Sequence, residues 1–471
     1  MNEQEHKQSD DQRTPHKDEE DDAATRTDFA KVEPLSSSHC PAVLISAPAS
    51  GQGKTTVTAA LARYFSRQGK TVKVFKTGPD FIDPMILQHA SNQSVHQLDL
   101  WMVGEDECRQ RLVEAGKTAD LILIEGVMGL FDGKPSSADL AELFGIPVLV
   151  VIDSKGMAQT FGAVAQGLMN YRPGLTFAGV LANRVASNNH AEMLAESLPP
   201  DSGQFAYMRK NDNLELPGRH LGLLQANEID DLDTRLDAAT AALHIPDLEQ
   251  LAVDIHFSAP VKTEFPRLLQ GVNIGIARDE AFSFIYAANL ECLTEMGARL
   301  HFFSPLHEAE LPVVDSLWLP GGYPELHAEQ LAKNQTMKDS INTHHQAGKP
   351  ILAECGGMLY LNQTLQTLNE QRHNMVGLLP GQAIMQQRLG GLGMQSVALP
   401  EGELRGHTFH YSRLETECEA TAQGIKQRNG QAGEAVYQQQ RLTASYLHFY
   451  FLSNARATAQ LFTPKFKTLR V

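Results

Sequence analysis

The residues best placed to do chemistry fall in two groups. In the segment Ala47-Pro48-Ala49-Ser50-Gly51-Gln52-Gly53-Lys54-Thr55-Thr56 an apolar run leads into a glycine-containing turn, then into Lys and Thr at the start of an apolar-periodic stretch. Such a strand, loop and helix form a phosphate cradle. Backbone N–H groups at Gly51 and Gly53 and the positive helix end face the anion, Lys54 reaches the outer phosphates, and Thr55 can hold Mg²⁺ beside Thr56. The usual G-x-x-x-x-G-K-[ST] pattern has glycine where this chain has Pro48.

Two further segments belong with that cradle. Glu125 ends the apolar run Leu121-Ile122-Leu123-Ile124. A carboxylate at the carboxyl end of a buried strand beside a phosphate loop is placed to bind Mg²⁺ directly or through water. Lys76, Asp80 and Asp83 sit in Lys76-Thr77-Gly78-Pro79-Asp80-Phe81-Ile82-Asp83-Pro84, a cation and two carboxylates in a Gly/Pro-shaped loop. Phosphoryl transfer needs its charge neutralised, and these three could serve it.

The second group lies near the other end of the chain. Ile351-Leu352-Ala353-Glu354-Cys355-Gly356-Gly357 runs a short apolar strand straight into a cysteine followed by two glycines. This is the pattern of a nucleophile elbow, where a sharp strand-to-helix turn exposes a thiol. Upstream, Leu319-Pro320-Gly321-Gly322 places flexible backbone after another strand, so that N–H groups at Gly322 and Gly356 can form an oxyanion hole. His448, in Ser445-Tyr446-Leu447-His448, stands at the tip of a strand as the base for Cys355.

The elements that must position these groups are legible as alternation. Strands are expected at 42–45, 71–76, 121–125, 147–152 and 177–180, with a helix over 56–68. A second series is expected at 273–277, 299–303, 316–319, 350–353 and 444–447, with a helix over 282–296. Alternating strands and helices predict parallel sheets covered by helices, so the fold class is α/β with two domains. The expected division is a disordered acidic tail over 1–38, a phosphate-binding domain over 39–245, a proline-bearing linker over 246–270 and a second α/β domain over 271–471.

A chain of 471 residues exceeds one ordinary core, which supports two domains. The formal net charge of −16 argues against nucleic acid as a partner, since neutralising phosphates needs clustered Lys and Arg. No apolar run is long enough for a membrane helix, and the first residues lack the pattern of a secretory signal, so the expected location is cytoplasmic. Five scattered cysteines with no C-x-x-C spacing point to thiols rather than to a disulfide framework or a zinc site.

In this order the segments resemble the a,c-diamide synthases of corrinoid biosynthesis, over essentially all of the chain after the tail. The phosphate loop with Pro48 looks like that family's variant, Gly78 to Pro84 is similar to its G-P-D-[YF]-[IL]-D-P signature, and Glu125 to Gly133 matches its E-G-V-M-G-L-[YF]-D-G block. The second half resembles class I glutamine amidotransferases of the cobyric acid synthase type, through residues 320–325, 353–357 and 406–412.

The resemblance implies a P-loop NTPase-like domain fused to a glutaminase. ATP with Mg²⁺ would phosphorylate a carboxylate of a corrinoid ring, and ammonia freed from glutamine by Cys355 and His448 would displace the phosphate. Many class I relatives carry a glutamate two residues after that histidine; here Tyr450 takes the position, which implies a Cys/His dyad. The implied partners are small molecules, namely the corrinoid ring, ATP and glutamine, and a homodimer is compatible with the family. Rival readings are cobyric acid synthase, a nickel-sirohydrochlorin diamide synthase and, from another class, a P-loop switch with an inactive second domain. The last would fit better had Cys355 or His448 been lost.

Overall fold

The computed structural model describes residues 35–211, 218–219, 222–261 and 265–464. The first sheet is built around Leu121–Glu125, in which every residue is buried. A strand covered on both faces must be apolar throughout, which is why its sequence does not alternate. Leu35–Ser46 pairs with it in parallel on one side, placing Ile45 opposite Glu125, and with Val148–Asp153 on the other. The sheet continues outward through Phe177–Val185 and Gln204–Arg209 to Leu243–His244 at one edge, and through Val72–Thr77 to His96–Leu98 at the other. Along this path all the neighbours are parallel except Leu243–His244, and a ninth strand, Val253–Pro260, pairs antiparallel with Leu35–Ser46 off the path.

This topology brings the carboxyl ends of Leu35–Ser46, Val72–Thr77 and Leu121–Glu125 together, the usual place for a ligand site in an open parallel sheet. Helix Lys54–Arg67 follows the first of them and buries Val57, Leu61 and Phe65 against the sheet.

The second sheet has ten strands. Arg299–Phe303, Asn273–Ala277, Ser316–Leu319, Ile351–Glu354 and Leu442–Ser445 are parallel neighbours in that order. Beyond Leu442–Ser445 the sheet turns antiparallel through Ala432–Gln439, Ala422–Lys426, Gly391–Leu399, Gly402–His410 and His448–Tyr450.

Several expectations need correction. The expected tail over 1–38 falls largely on residues 1–34, outside the described residues. Residues 35–38, however, lie in the strand Leu35–Ser46. The expected linker over 246–270 contains the strand Val253–Pro260, which pairs antiparallel with the first half of Leu35–Ser46 in the register Leu35 to Pro260. Neither half of that hairpin-less pair has a strong apolar run, since its outer positions are exposed; only the long-range pairing makes it a strand. The helix expected from 282 starts at Ala287, because Phe284 spends its backbone N–H on the Gly321 carbonyl. The strand expected over 444–447 is two strands, Leu442–Ser445 and His448–Tyr450, so His448 opens a strand rather than closing one.

The two halves share a core. Phe81, Ile122 and Ile124 from the first half lie in one buried apolar cluster with Phe284, Tyr286 and Tyr450 from the second. Each such side chain contributes roughly 1.5–3 kcal/mol through its burial. At the rim, Glu291 accepts from Arg111 at 3.0 Å and lies 2.7 Å from the His96 Nε2.

Candidate active site

The phosphate loop takes its shape from backbone that only glycine adopts easily. Gly51 and Gly53 have φ of 79° and 89°. A Cβ on Gly53 would come within 2.2 Å of the Asn183 side-chain amide, which itself donates to the Gln52 carbonyl at 2.8 Å. Lys54 Nζ folds back over the loop and donates to the carbonyls of Ala49 at 3.2 Å and Met128 at 2.6 Å. Burial, and then the charge of Lys76, lower the Lys54 pKa. Thr56 lies half-buried in the first turn of the same helix.

The sequence-predicted residues Thr55, Lys76, Asp80, Asp83 and Glu125 meet beneath that loop. Glu125 Oε1 accepts from the Thr55 hydroxyl at 2.8 Å and from Lys76 Nζ at 2.7 Å. Lys76 Nζ also pairs with Asp83 Oδ2 at 2.7 Å and lies 3.7 Å from Asp80 Oδ2. Burial opposes the charge of Lys76, but Asp83, Glu125 and Asp80 around it outweigh that and hold the ammonium protonated above its ordinary range. Asp80 is pushed up by burial and by the neighbouring Asp83, whereas Asp83 is held down, against its own burial, by Lys76. Burial also raises Glu125, with Lys76 acting the other way.

Glu125 is fully buried and its second oxygen, Oε2, has no hydrogen-bond partner among the described residues. An orphaned carboxylate oxygen next to a threonine hydroxyl fits a divalent cation. Nucleotide-bound Mg²⁺ takes only one or two protein ligands, so the lack of any cluster of three His, Cys, Asp or Glu among the described residues is consistent with it.

The loop after Glu125 closes over the cradle. Gly126 and Leu130 donate to the carbonyls of Ile45 and Ala47, each at 2.8 Å, and Val127 donates to the Thr77 hydroxyl at 2.7 Å. Gly129 passes so close that a Cβ would sit 2.6 Å from the Pro48 carbonyl. Asn183 and Thr77 were not singled out from sequence. Each lies in the last residues of a strand, and only the sheet register brings it to the loop.

In the second half, Cys355 has φ 45° and ψ −107°, a strained conformation for a residue with a side chain and the geometry expected of an elbow. Its backbone N–H donates to the Ser445 carbonyl at 2.7 Å, which ties the elbow to the strand preceding His448. The Gly321-Gly322 turn lies between the two reactive side chains. A Cβ on Gly321 would stand 2.2 Å from His448 Cε1, and a Cβ on Gly356 would stand 2.9 Å from the Gly322 nitrogen. The Gly321-Gly322 turn thus stands next to His448 on one side and next to Gly356, the residue after Cys355, on the other.

The pocket is dry. Burial pushes the Cys355 thiol up, with Glu325 adding to it, and burial pushes the His448 imidazole down, with His407 and His410 adding to that. Burial thus favours the neutral form of both groups. His448 Nδ1 has no hydrogen-bond partner among the described residues, in keeping with a dyad. Glu354, which sequence reasoning passed over, fastens the site instead: its carboxylate accepts from the Phe449 N–H at 2.7 Å and from the Trp318 indole at 2.9 Å. Burial pushes its pKa up to about 8.

A nucleotide cradle with a charged carboxylate-handling cluster and a Cys/His glutaminase pocket, in one compact unit, define a glutamine amidotransferase fused to a nucleotide-binding domain. Comparison with known proteins agrees. The family described as "CobQ/CobB/MinD/ParA nucleotide binding domain" matches residues 43–223, and "CobB/CobQ-like glutamine amidotransferase domain" matches residues 273–456. The chain is 59% identical over 430 residues to a hydrogenobyrinate a,c-diamide synthase from Stutzerimonas stutzeri, covering 91% of this chain and 100% of that one. It is 56% identical to one from Pseudomonas aeruginosa, covering 91% and 99%. It is 51% identical to a cobyrinate a,c-diamide synthase from Herminiimonas arsenicoxydans, covering 90% and 97%. The chain belongs to the hydrogenobyrinate and cobyrinate a,c-diamide synthase family, the glutamine-dependent ligases of cobalamin biosynthesis.

Proposed function

We propose that this chain amidates the a and c side-chain carboxylates of hydrogenobyrinate or cobyrinate, using ATP and glutamine. A carboxylate is a poor acyl donor at neutral pH until one oxygen becomes a phosphate leaving group. Gly51, Gly53, Lys54, Thr55 and Thr56 are assigned to the ATP phosphates. Lys54 stabilises the charge on the transferring phosphoryl group, and Lys76, held by Asp80 and Asp83, steadies the incoming carboxylate. Thr55 and Glu125 would hold Mg²⁺, which when bound neutralises charge on the phosphates.

At the other site the Cys355 thiol gives its proton to His448 and attacks the glutamine carboxamide carbon. The N–H groups of Gly322 and Gly356 stabilise the resulting oxyanion. Protonation by His448 lets ammonia leave, and water hydrolyses the thioester to glutamate. Ammonia then attacks the acyl phosphate carbon and phosphate departs. Residues 39–245 are assigned to the ligase domain, extended here by the strand Val253–Pro260, and residues 271–464 to the glutaminase. None of the described helices is long and apolar enough to cross a membrane.

The observation that carries this reading is the 59% identity over 91% of the chain to a hydrogenobyrinate a,c-diamide synthase. It is tested by supplying purified protein with ATP, Mg²⁺ and glutamine and either ring, and following product mass. Two successive amidations are expected. No change with either ring, despite intact ATP binding, overturns the assignment.

A further inference from the structure

One side chain joins the two sites. Phe81 stands between Asp80 and Asp83 in the ligase loop, yet its ring points into the glutaminase. It stacks on Phe284 with centroids 5.1 Å apart and planes 3° from parallel, and lies 4.4 Å from Tyr286, 5.4 Å from His407 and 5.0 Å from His448. Only 9% of Phe81 is exposed. The backbone that carries it is stiff: Asp80 Oδ1 accepts from the N–H groups of Ile82 at 2.9 Å and Asp83 at 3.1 Å, and the Asp80 carbonyl accepts from Gln97 at 3.1 Å.

The line of contact continues to the Gly321-Gly322 turn. Phe284 donates its N–H to the Gly321 carbonyl at 3.0 Å, and Gly321 packs against the His448 ring beside Gly322. On the other side the Asp83 carboxylate is held by Lys76. A phosphoryl group or carboxylate arriving at Lys76 competes for that ammonium, so Asp83 and Asp80 must adjust. One turn of backbone carries all three residues, so a shift of that turn would carry Phe81 with it.

We propose that Phe81 is the positioning residue that couples glutamine hydrolysis to occupation of the ligase site. Resting against His448 and Phe284, it holds the base and closes the gap between the two sites. Movement of the loop with substrate frees the base and opens the way for ammonia. This inference rests on the function proposed above for the two sites. Coupling of this kind needs an element that touches both sites, and the loop carrying Phe81 touches the Lys76 cluster on one side and the His448 wall on the other.

The test uses the full chain with Phe81→Ala and, keeping more of the volume, Phe81→Leu. Glutamate release is measured without ATP or ring, glutamate per amide is measured in the complete reaction, and amidation is measured with ammonium in place of glutamine. Both variants are expected to raise basal glutamate release and glutamate per amide about fivefold or more, the lower end of typical coupling between sites. Ammonium-supported amidation should be retained, and Phe81→Tyr should restore the wild-type ratio. A merely structural residue would lower all activities together. Unchanged ratios, loss of glutamine hydrolysis, or loss of ammonium-supported amidation in a folded variant would overturn the proposal; if Phe81→Ala does not fold, Phe81→Leu decides. Should the wild type make no amide from either nitrogen source, the proposed function has failed, while basal glutamate release still decides the role of Phe81.

Discussion

In the ligase half, reactive groups are buried together with their counter-charges: Lys76 within 2.7 Å of both Asp83 and Glu125, and Lys54 over the loop carbonyls. In the glutaminase half, reactive groups are buried with almost none. His448 Nδ1 has no hydrogen-bond partner among the described residues, and Cys355 and His448 are both driven toward neutrality. Both sites occupy the carboxyl ends of parallel strands, so the sheet does not set the difference; the chemistry does. Phosphoryl transfer needs charge in place before substrate binds, whereas an idle thiolate beside a buried imidazolium would invite wasteful hydrolysis or oxidation. One site is built on ion pairs, and in the other burial favours the neutral forms.

The comparison predicts separable failures. Cys355→Ala should lower glutamine-supported amidation by about 10³-fold or more while ammonium-supported amidation persists. Parallel loss with both nitrogen sources, followed by product mass, would show that the halves are not chemically independent. Lys76→Met should do the reverse, lowering amidation with either nitrogen source by about 10²- to 10³-fold. It should also cost about 3–5 kcal/mol of stability in denaturant titrations, because Asp83 and Glu125 would be left buried without their partner. The sign with pH follows from Asp83. Its pKa is depressed in the fold, so its stabilising contribution is present above the unfolded carboxylate value and is lost as pH falls through the folded one. The wild type should therefore lose stability in acid more steeply than Lys76→Met.

Gly321→Ala probes the glutaminase site without touching its charges. The new methyl would lie 2.2 Å from a ring carbon of His448, so the ring must move. Glutamine hydrolysis should fall by about 10²-fold, the usual consequence of displacing a catalytic group by about an ångström. Unaltered hydrolysis in a folded variant would show that His448 is not held where the turn puts it.

Much of this was legible in the sequence, for physical reasons that also mark where reading stops. The parallel strands 121–125, 273–277, 299–303 and 316–319 are short apolar runs bounded by turns, and the sequence expectation matches their observed bounds. Cys355, Gly322, Gly356 and His448 came from patterns that are local, and the Gly321-Gly322 turn stands next to both His448 and Gly356. The strand Val253–Pro260 was not found, because it is half-exposed and owes its existence to a partner far along the chain. Asn183 at the phosphate loop, Glu354 behind the elbow and Phe81 across the seam share that limit. Their roles lie in which element stands opposite, and no spacing along the chain encodes it.

The pH response of the glutaminase gives a smaller effect. Burial lowers the His448 pKa, and an imidazole is a usable base only above its pKa, so His448 should remain a base well into acid. The acid limb of kcat/KM for glutamine should lie below about 6.5, the ordinary imidazole value. A limb at or above that value would mean that the pocket fills with water or counter-charge when glutamine binds, and that desolvation does not govern the base.

The smallest effect belongs to the rim of the seam. Arg405 donates to the Trp101 carbonyl at 2.9 Å and lies over its ring at 5.3 Å, linking the glutaminase strand that carries His407 to the ligase half. Its side chain is 42% exposed, so solvent screens its charge. Arg405→Ala should therefore lower stability by no more than about 1 kcal/mol, read from the denaturant midpoint. Glutamate per amide should stay at the wild-type value, because the rim fastens the halves without touching either reactive group. If this variant uncouples the reactions as Phe81→Ala is expected to, communication depends on how tightly the halves are clamped, and the buried aromatic contact is one fastening among several.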